Sequence, residues 1–83
     1  MRLLYFAWVR EKTGIGAEEV ELPRSVTTIA ELIAWQKTRG EEFANAFERS
    51  EVIHAAIDRT HARPDAKLGN AREIAFFPPV TGG

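Results

Sequence analysis

Hydrophobic and polar positions at the start of the chain follow the pattern of a β-hairpin. Arg2–Arg10 is rich in aromatic and aliphatic residues, and the glycine-containing segment Thr13–Gly16 follows it as a turn. In Glu18–Leu22, valine and leucine alternate with glutamate, which predicts a second strand. The glutamates of this strand, Glu18 among them, are expected to face solvent.

The period changes to that of a helix after Pro23. Thr28 and Glu31 have the spacing of a capping box, in which the threonine caps the helix and the glutamate reaches back to the threonine amide. Apolar residues then recur at helical spacing, and Gly40 follows two basic residues as a typical helix end. Glu41–Glu48 predicts one further short helix or turn.

The second half of the chain predicts two more strands. Glu51–Arg59 alternates apolar and polar residues, whereas Thr60–Asn70 has the composition of a loop pinned by Leu68. Arg72–Phe77 predicts the last strand, which two prolines end because proline cannot donate to a sheet ladder. The order of elements predicts an α+β domain over residues 1–77, a β-grasp in which a mixed sheet wraps one main helix. Residues 78–83 are expected to form an extended tail.

Size and charge limit the functions that the chain can have. The 83 residues suffice for one domain, and 11 basic against 12 acidic residues leave no basic run for nucleic acid or an anionic membrane. The apolar run Leu3–Val9 is too short for a membrane span and lacks the features of a signal peptide, so a cytoplasmic location is expected. The chain has no cysteine, which excludes disulfides and thiol nucleophiles, so any sulfur chemistry must use another atom.

The segment Phe76–Gly83 is the stretch that the predicted fold does not obviously need, and Pro78–Gly83 should project from the last strand. Its prolines favour an extended backbone, and six residues reach about 20 Å. Gly82 and Gly83 carry no Cβ and can pass a narrow channel. The carboxylate of Gly83 is a poor electrophile, but adenylation by ATP followed by attack of a sulfur donor would give a thiocarboxylate. Alternatively, the segment is an inert, frayed end.

Both faces of the first predicted strand are apolar, although one helix covers only one of them. The face that carries Leu4, Phe6 and Trp8 is therefore predicted to join Phe77 in a partner interface around the start of the tail. Loops and the second short helix are the alternative cover. His54 and His61 are not expected to bind a metal, because no third close ligand accompanies them.

Two stretches resemble one known family. The end of the chain reads Phe-Phe-Pro-Pro-Val-Thr-Gly-Gly, with Pro78, Pro79, Val80 and Thr81 leading to the glycines, and Phe6–Glu11 reads Phe-Ala-Trp-Val-Arg-Glu. Both are similar to the small subunit of molybdopterin synthase, often called MoaD.

The resemblance implies a ubiquitin-like β-grasp fold, no active site in the chain itself and no permanently bound cofactor. It also implies that an ATP-dependent enzyme adenylates Gly83 and that a sulfur donor enzyme converts it to a thiocarboxylate. The tail then enters the large subunit of molybdopterin synthase, where sulfur passes to a pterin precursor. Two sulfurs are needed for one dithiolene, so a heterotetramer is expected.

A few positions depart from the family pattern and bear on partner fit. Asp58 stands where asparagine is frequent, His61 where an aliphatic residue is expected, and Asn70–Arg72 differs from the usual sequence before the last strand. Three other functions stay open on these residues. They are a sulfur carrier for thiamine thiazole synthesis, a ubiquitin-like modifier that forms lysine conjugates, and a small interaction domain with an inert tail.

Overall fold

The computed structural model describes residues 1–79, in which five strands form one mixed sheet. The strands are β1 (Arg2–Tyr5), β2 (Ala17–Glu19), β3 (His54–Ile57), β4 (Thr60–Ala62) and β5 (Glu73–Phe77). The helices are α1 (Ala7–Thr13), α2 (Ile29–Gln36) and α3 (Glu41–Ala46), and a short 3₁₀ helix spans Ser50–Val52. The strand order is β2-β1-β5-β3-β4, with β1 and β5 parallel and the other neighbours antiparallel. The predicted α+β fold, a mixed sheet with a helix against it, is confirmed.

The strand register separates a buried face of the sheet from an outer one. Leu3 pairs with Ile74 and Tyr5 pairs with Phe76, and all four side chains are buried. The ring of Phe76 stacks on Tyr5 at 6.0 Å and meets Phe47 edge-on at 5.1 Å between centroids. These contacts place the core between the sheet and the helices, so residues of the other parity are left on the outer face.

The main helix begins as predicted and ends earlier. The side chain of Thr28 accepts from the amide of Glu31, and the Glu31 carboxylate accepts from the Thr28 amide, which completes the capping box. The helix ends at Gln36, not at Gly40. Gly40 precedes α3 with a φ of 126°, a backbone conformation that favours glycine, so its role is to start the next helix.

The prediction of one strand over Arg2–Arg10 is wrong beyond Tyr5. Ala7 has a φ of 51°, which turns the chain out of the strand and into α1. Val9 and Thr13, four residues apart, are the buried positions of that helix. Gly14 caps it in the left-handed conformation and donates its amide to the Arg10 carbonyl. Basic residues followed by glycine signal a helix end, and this signal was interpreted as a hairpin turn.

Three further boundaries differ from the prediction. The second strand covers Ala17–Glu19 instead of Glu18–Leu22, and β3 begins only at His54 because a 3₁₀ helix precedes it. The segment predicted as a loop contains β4, although Leu68 is buried as predicted. No helix among the described residues is long and apolar enough to cross a membrane.

The prediction that Glu18 faces solvent is wrong, because its side chain joins a polar network beneath the sheet edge. Its carboxylate accepts from the Tyr5 hydroxyl at 2.6 Å and from both terminal nitrogens of Arg39 at 2.6 and 2.8 Å. Gln36, which is fully buried, donates to the same hydroxyl at 2.7 Å. The Arg39 guanidinium holds the pKa of Glu18 below its usual value, whereas burial raises the pKa of Tyr5 well above its own.

Candidate functional site

The tail begins at the centre of the sheet. Strand β5 lies between β1 and β3, and its last residue, Phe77, pairs with His54. The amide of Phe6 donates to the carbonyl of Phe76 at 3.0 Å, so the chain leaves the sheet beside Phe6. Pro78 is half-buried and Pro79 is exposed. The remaining tail residues, for which the sequence predicts the chemistry, lie outside the described residues: Val80, Thr81, Gly82 and Gly83.

Next to this exit, the outer face of the sheet forms an open depression of about 620 Å³. Leu4, Ala75 and Phe77 line it from adjacent strands, and Phe6, which is 49% exposed, stands at its end. Ala56 pairs with Ala75 on the same parity, so small side chains leave the middle of this face shallow. We call Leu4, Phe6, Ala75 and Phe77 the outer patch. Three of the four predicted interface residues therefore lie together, and whether a partner binds them stays a prediction.

Charged side chains stand at the edge of the outer patch. Arg2, Arg59 and Glu73 line the same depression, and Nε of Arg59 lies 4.0 Å from a carboxylate oxygen of Glu73. The Arg59 side chain is 90% exposed, so this ion pair is screened by water and contributes little to folding stability. Ala75 and Glu73 also line this depression, although neither was predicted as an interface residue. Alternation along β5 predicts their place, because they share the parity of Phe77.

Trp8 does not belong to the outer patch, which corrects the fourth interface residue. Because β1 ends at Tyr5, Trp8 lies on α1, half-buried, with the ammonium of Lys12 above its ring at 5.2 Å. It lines a separate hollow of about 440 Å³ to which Pro79 also contributes. Trp8 thus lies near the described start of the tail. It does so because of its place on α1 and not because it alternates with Leu4 and Phe6 along a strand.

A tight turn between β3 and β4 fixes the start of β5. Asp58 and Arg59 both have positive φ, 46° and 73°, in a two-residue loop of the kind that matches sheet twist. The Asp58 carboxylate accepts from the amides of Arg72 at 2.9 Å and Glu73 at 3.0 Å. Aspartate therefore holds, through its side chain, the strand that leads into the tail.

His54 and His61 face each other across β3 and β4 on the outer face. Nδ1 of His54 lies 3.0 Å from Nε2 of His61, and the His54 ring stacks on Phe77 with centroids 5.8 Å apart and planes 18° apart. Among residues 1–79 no third histidine or carboxylate joins them in a group suited to a metal ion. This contact depends on the β3–β4 register, so no pattern in the sequence predicts it.

Comparison with known proteins identifies the family. The sequence profile of the ThiS family matches residues 3–83. The chain belongs to the ThiS family. A molybdopterin synthase sulfur carrier subunit of Escherichia coli is 36% identical to this ThiS-family protein over 83 residues, covering 100% of this chain and 99% of the relative. The protein of the same name from Haemophilus influenzae is 34% identical with the same coverage.

Solved structures support the same fold for this ThiS-family chain. A Pyrococcus furiosus protein assigned as subunit 1 of a molybdopterin converting factor superposes with a TM-score of 0.73 at 25% identity, and 95% of each chain is covered. The crystal structure of SAMP1 from Haloferax volcanii gives a TM-score of 0.72 at 21% identity, covering 100% of this chain and 98% of the other. The latter likeness concerns the fold alone.

Proposed function

We propose that this ThiS-family protein is the sulfur carrier subunit of a molybdopterin synthase and that it carries sulfur as a thiocarboxylate on Gly83. The observation that carries the proposal is the full-length likeness to two sulfur carrier subunits, which extends through the tail to the last residue. The fold supports it, since a central strand brings the chain to the tail beside an exposed apolar patch. The chain has no thiol, so the sulfur is carried on carbon.

The chemistry takes place in two steps on the carboxyl carbon of Gly83. A carboxylate oxygen attacks the α-phosphorus of ATP, which releases pyrophosphate and leaves an acyl adenylate. Hydrosulfide released by a donor enzyme then attacks that carbon, the bond from the carbon to the AMP oxygen breaks, and AMP leaves. Loss of the sulfur-bound proton to solvent gives the thiocarboxylate, which the carrier delivers to a pterin precursor. ATP is a substrate of the activating enzyme, and the carrier itself holds no cofactor.

The outer patch suits the docking step of this cycle. Its apolar residues surround the exit of the tail, so a partner that covers them would also receive the tail. We assign this surface to the large synthase subunit, in a heterotetramer with two carriers, and to the adenylating enzyme in a separate complex. Because loading uses ATP, the cycle belongs in the cytoplasm.

Intact-mass spectrometry tests the proposal directly. The purified chain is incubated with a MoaD-type adenylating enzyme, ATP and a sulfur donor, and one oxygen of Gly83 should be replaced by sulfur. Deletion of Gly83, or addition of one residue after it, should abolish this mass change and leave the thermal unfolding midpoint unchanged, since Phe76 is the last core residue in the described part of the chain. Normal loading of either variant, or the appearance of lysine conjugates in place of the thiocarboxylate, would overturn the proposal.

A further inference from the structure

The two histidines lie beside the start of the tail on the outer face. The ring of His54 stacks on Phe77, the residue before Pro78, and the ring of His61 meets Phe77 edge-on at 6.3 Å. His54 is half-buried and His61 is exposed. The pair therefore borders the outer patch, and any protein that covers Phe77 also meets the imidazoles.

The distance of 3.0 Å between Nδ1 of His54 and Nε2 of His61 is that of a hydrogen bond, so one proton lies between the rings. A neutral imidazole has one N–H donor and one acceptor nitrogen. In either tautomer, the neutral pair thus presents one donor and one acceptor outward. Uptake of one proton keeps the bond between the rings and turns both outward nitrogens into donors. The singly protonated pair is then a cation with two N–H groups, which suits a carboxylate.

Few other charges compete for this pair within the described part of the chain. Glu51 and Arg63 line the groove that also contains the two histidines. Glu51 is already 3.5 Å from Nε of Arg49, and α2 contributes apolar side chains to that groove. Across the outer patch, Arg2 and Arg59 add positive charge, and Glu73 is paired with Arg59. The rim of the patch is thus deficient in free carboxylates and complements an acidic partner.

We propose that the His54–His61 pair recognises a carboxylate of the large synthase subunit and makes docking of the carrier dependent on one proton. The inference rests on the proposed function, because it names a contact within that complex. The contact forms when the pair carries the added proton and is lost when the pair is neutral, so binding weakens as the pH rises. The sulfur chemistry on Gly83 does not involve the pair.

The shared proton is tested on the isolated chain by NMR titration of the two imidazoles, which are the only histidines of the sequence. We expect two linked steps, because protonation of one ring changes the other. In His54→Gln, the titration of His61 should become a single step. Two independent curves that the substitution leaves unchanged would overturn the shared proton.

The docking role is tested by the affinity for the cognate large subunit, with a chelator present throughout. Binding of the wild-type carrier should weaken about three- to tenfold from about pH 6 to about pH 8, the range between an exposed ion pair and a charged hydrogen bond. The double variant His54→Gln, His61→Gln serves as the control. Any pH dependence that comes from the large subunit itself is the same for this variant and for the wild-type carrier, so the difference between them reports on the histidines. If the double variant does not fold, the single variant His61→Gln is used as the control instead.

The outcomes separate the two proposals. Equal pH dependence of wild-type and variant carriers would overturn the docking role of the pair, while binding itself would still support a synthase subunit. Absence of binding at every pH would instead contradict the proposed function, and the docking role with it. A steeper dependence in the wild-type carrier alone would support both.

Discussion

Two adjacent phenylalanines at the end of β5 separate a role in folding from a role in docking. Phe76 is fully buried among Tyr5 and Phe47, whereas Phe77 lies half-buried on the outer patch. Phe77→Ala removes an aromatic ring from the proposed interface, and Phe76→Ala removes one from the core. The two variants make the same chemical change at neighbouring positions of one strand. The difference between them is therefore the face of the sheet from which the ring is removed.

The expected magnitudes follow from the burial of each ring. Truncation of the core residue Phe76 should cost about 3 to 5 kcal/mol of folding stability. A domain of this length has about 4 to 12 kcal/mol in total, so the variant should lose a large share of its stability. Phe6 is 49% exposed, so its burial on docking removes about 100 Å² from water, or about 2.5 kcal/mol, and Phe6→Ala should weaken binding roughly 10- to 100-fold. Phe77 has less area left to bury, so Phe77→Ala should weaken binding by a smaller factor, about 5- to 20-fold.

Urea denaturation of the isolated variants and calorimetric titration with the large subunit measure the two effects. Phe77→Ala and Phe6→Ala should fold with a loss of less than about 1.5 kcal/mol, as expected for side chains outside the core, and lose affinity. Normal affinity of both variants would refute the interface. Unfolding of Phe77→Ala to the extent of Phe76→Ala would show that the outer patch is part of the core.

Three further perturbations address the tail, the turn and the polar network. Gly82→Ala should leave the unfolding midpoint unchanged but reduce sulfur transfer in a reconstituted synthase, because a Cβ clashes in a narrow channel, and equal activity would indicate a wide one. Asp58→Ala should cost about 1 to 2 kcal/mol in urea denaturation while Asp58→Asn costs less, since asparagine keeps the acceptor and tolerates positive φ, so equal losses would contradict the proposed role of the side chain. The hydrogen bonds from Arg39 hold the pKa of Glu18 below its ordinary value, so the stability that ionised Glu18 contributes is present above that ordinary value and is lost as the pH falls through the lowered pKa. Glu18→Gln should cost about 1.5 to 3 kcal/mol at neutral pH and flatten the acid limb of the stability profile, and an unchanged limb would refute the role of Arg39.

The sequence alone determined the features that depend on near neighbours. The capping box of Thr28 and Glu31 spans one helical turn, so its residues meet whatever the rest of the chain does. Proline ends β5 because of its own missing amide hydrogen, and the parity of Leu4, Phe6 and Phe77 follows from strand geometry. The motif at the chain end indicates a sulfur carrier without knowledge of the fold.

The segment after β1 shows where the sequence was ambiguous. Residues 6–13 are apolar at positions that suit both a strand and a helix, and only packing of Val9 and Thr13 against the core favours the helix. Ala7 reaches its left-handed conformation at a cost that the buried helix face offsets. Trp8 was assigned to the wrong surface for this reason alone.

Tertiary structure decided the contacts between residues far apart along the chain. The Glu18 side chain is mostly buried because the segment after α2 brings Arg39 to it, although a glutamate among alternating residues is typical of a solvated face. His54 and His61 meet only because a tight turn sets the register of β3 and β4, and both reach Phe77 because β5 lies beside β3. Strand order and register depend on the total energy of the packed core and not on any local segment, so these contacts required the folded structure.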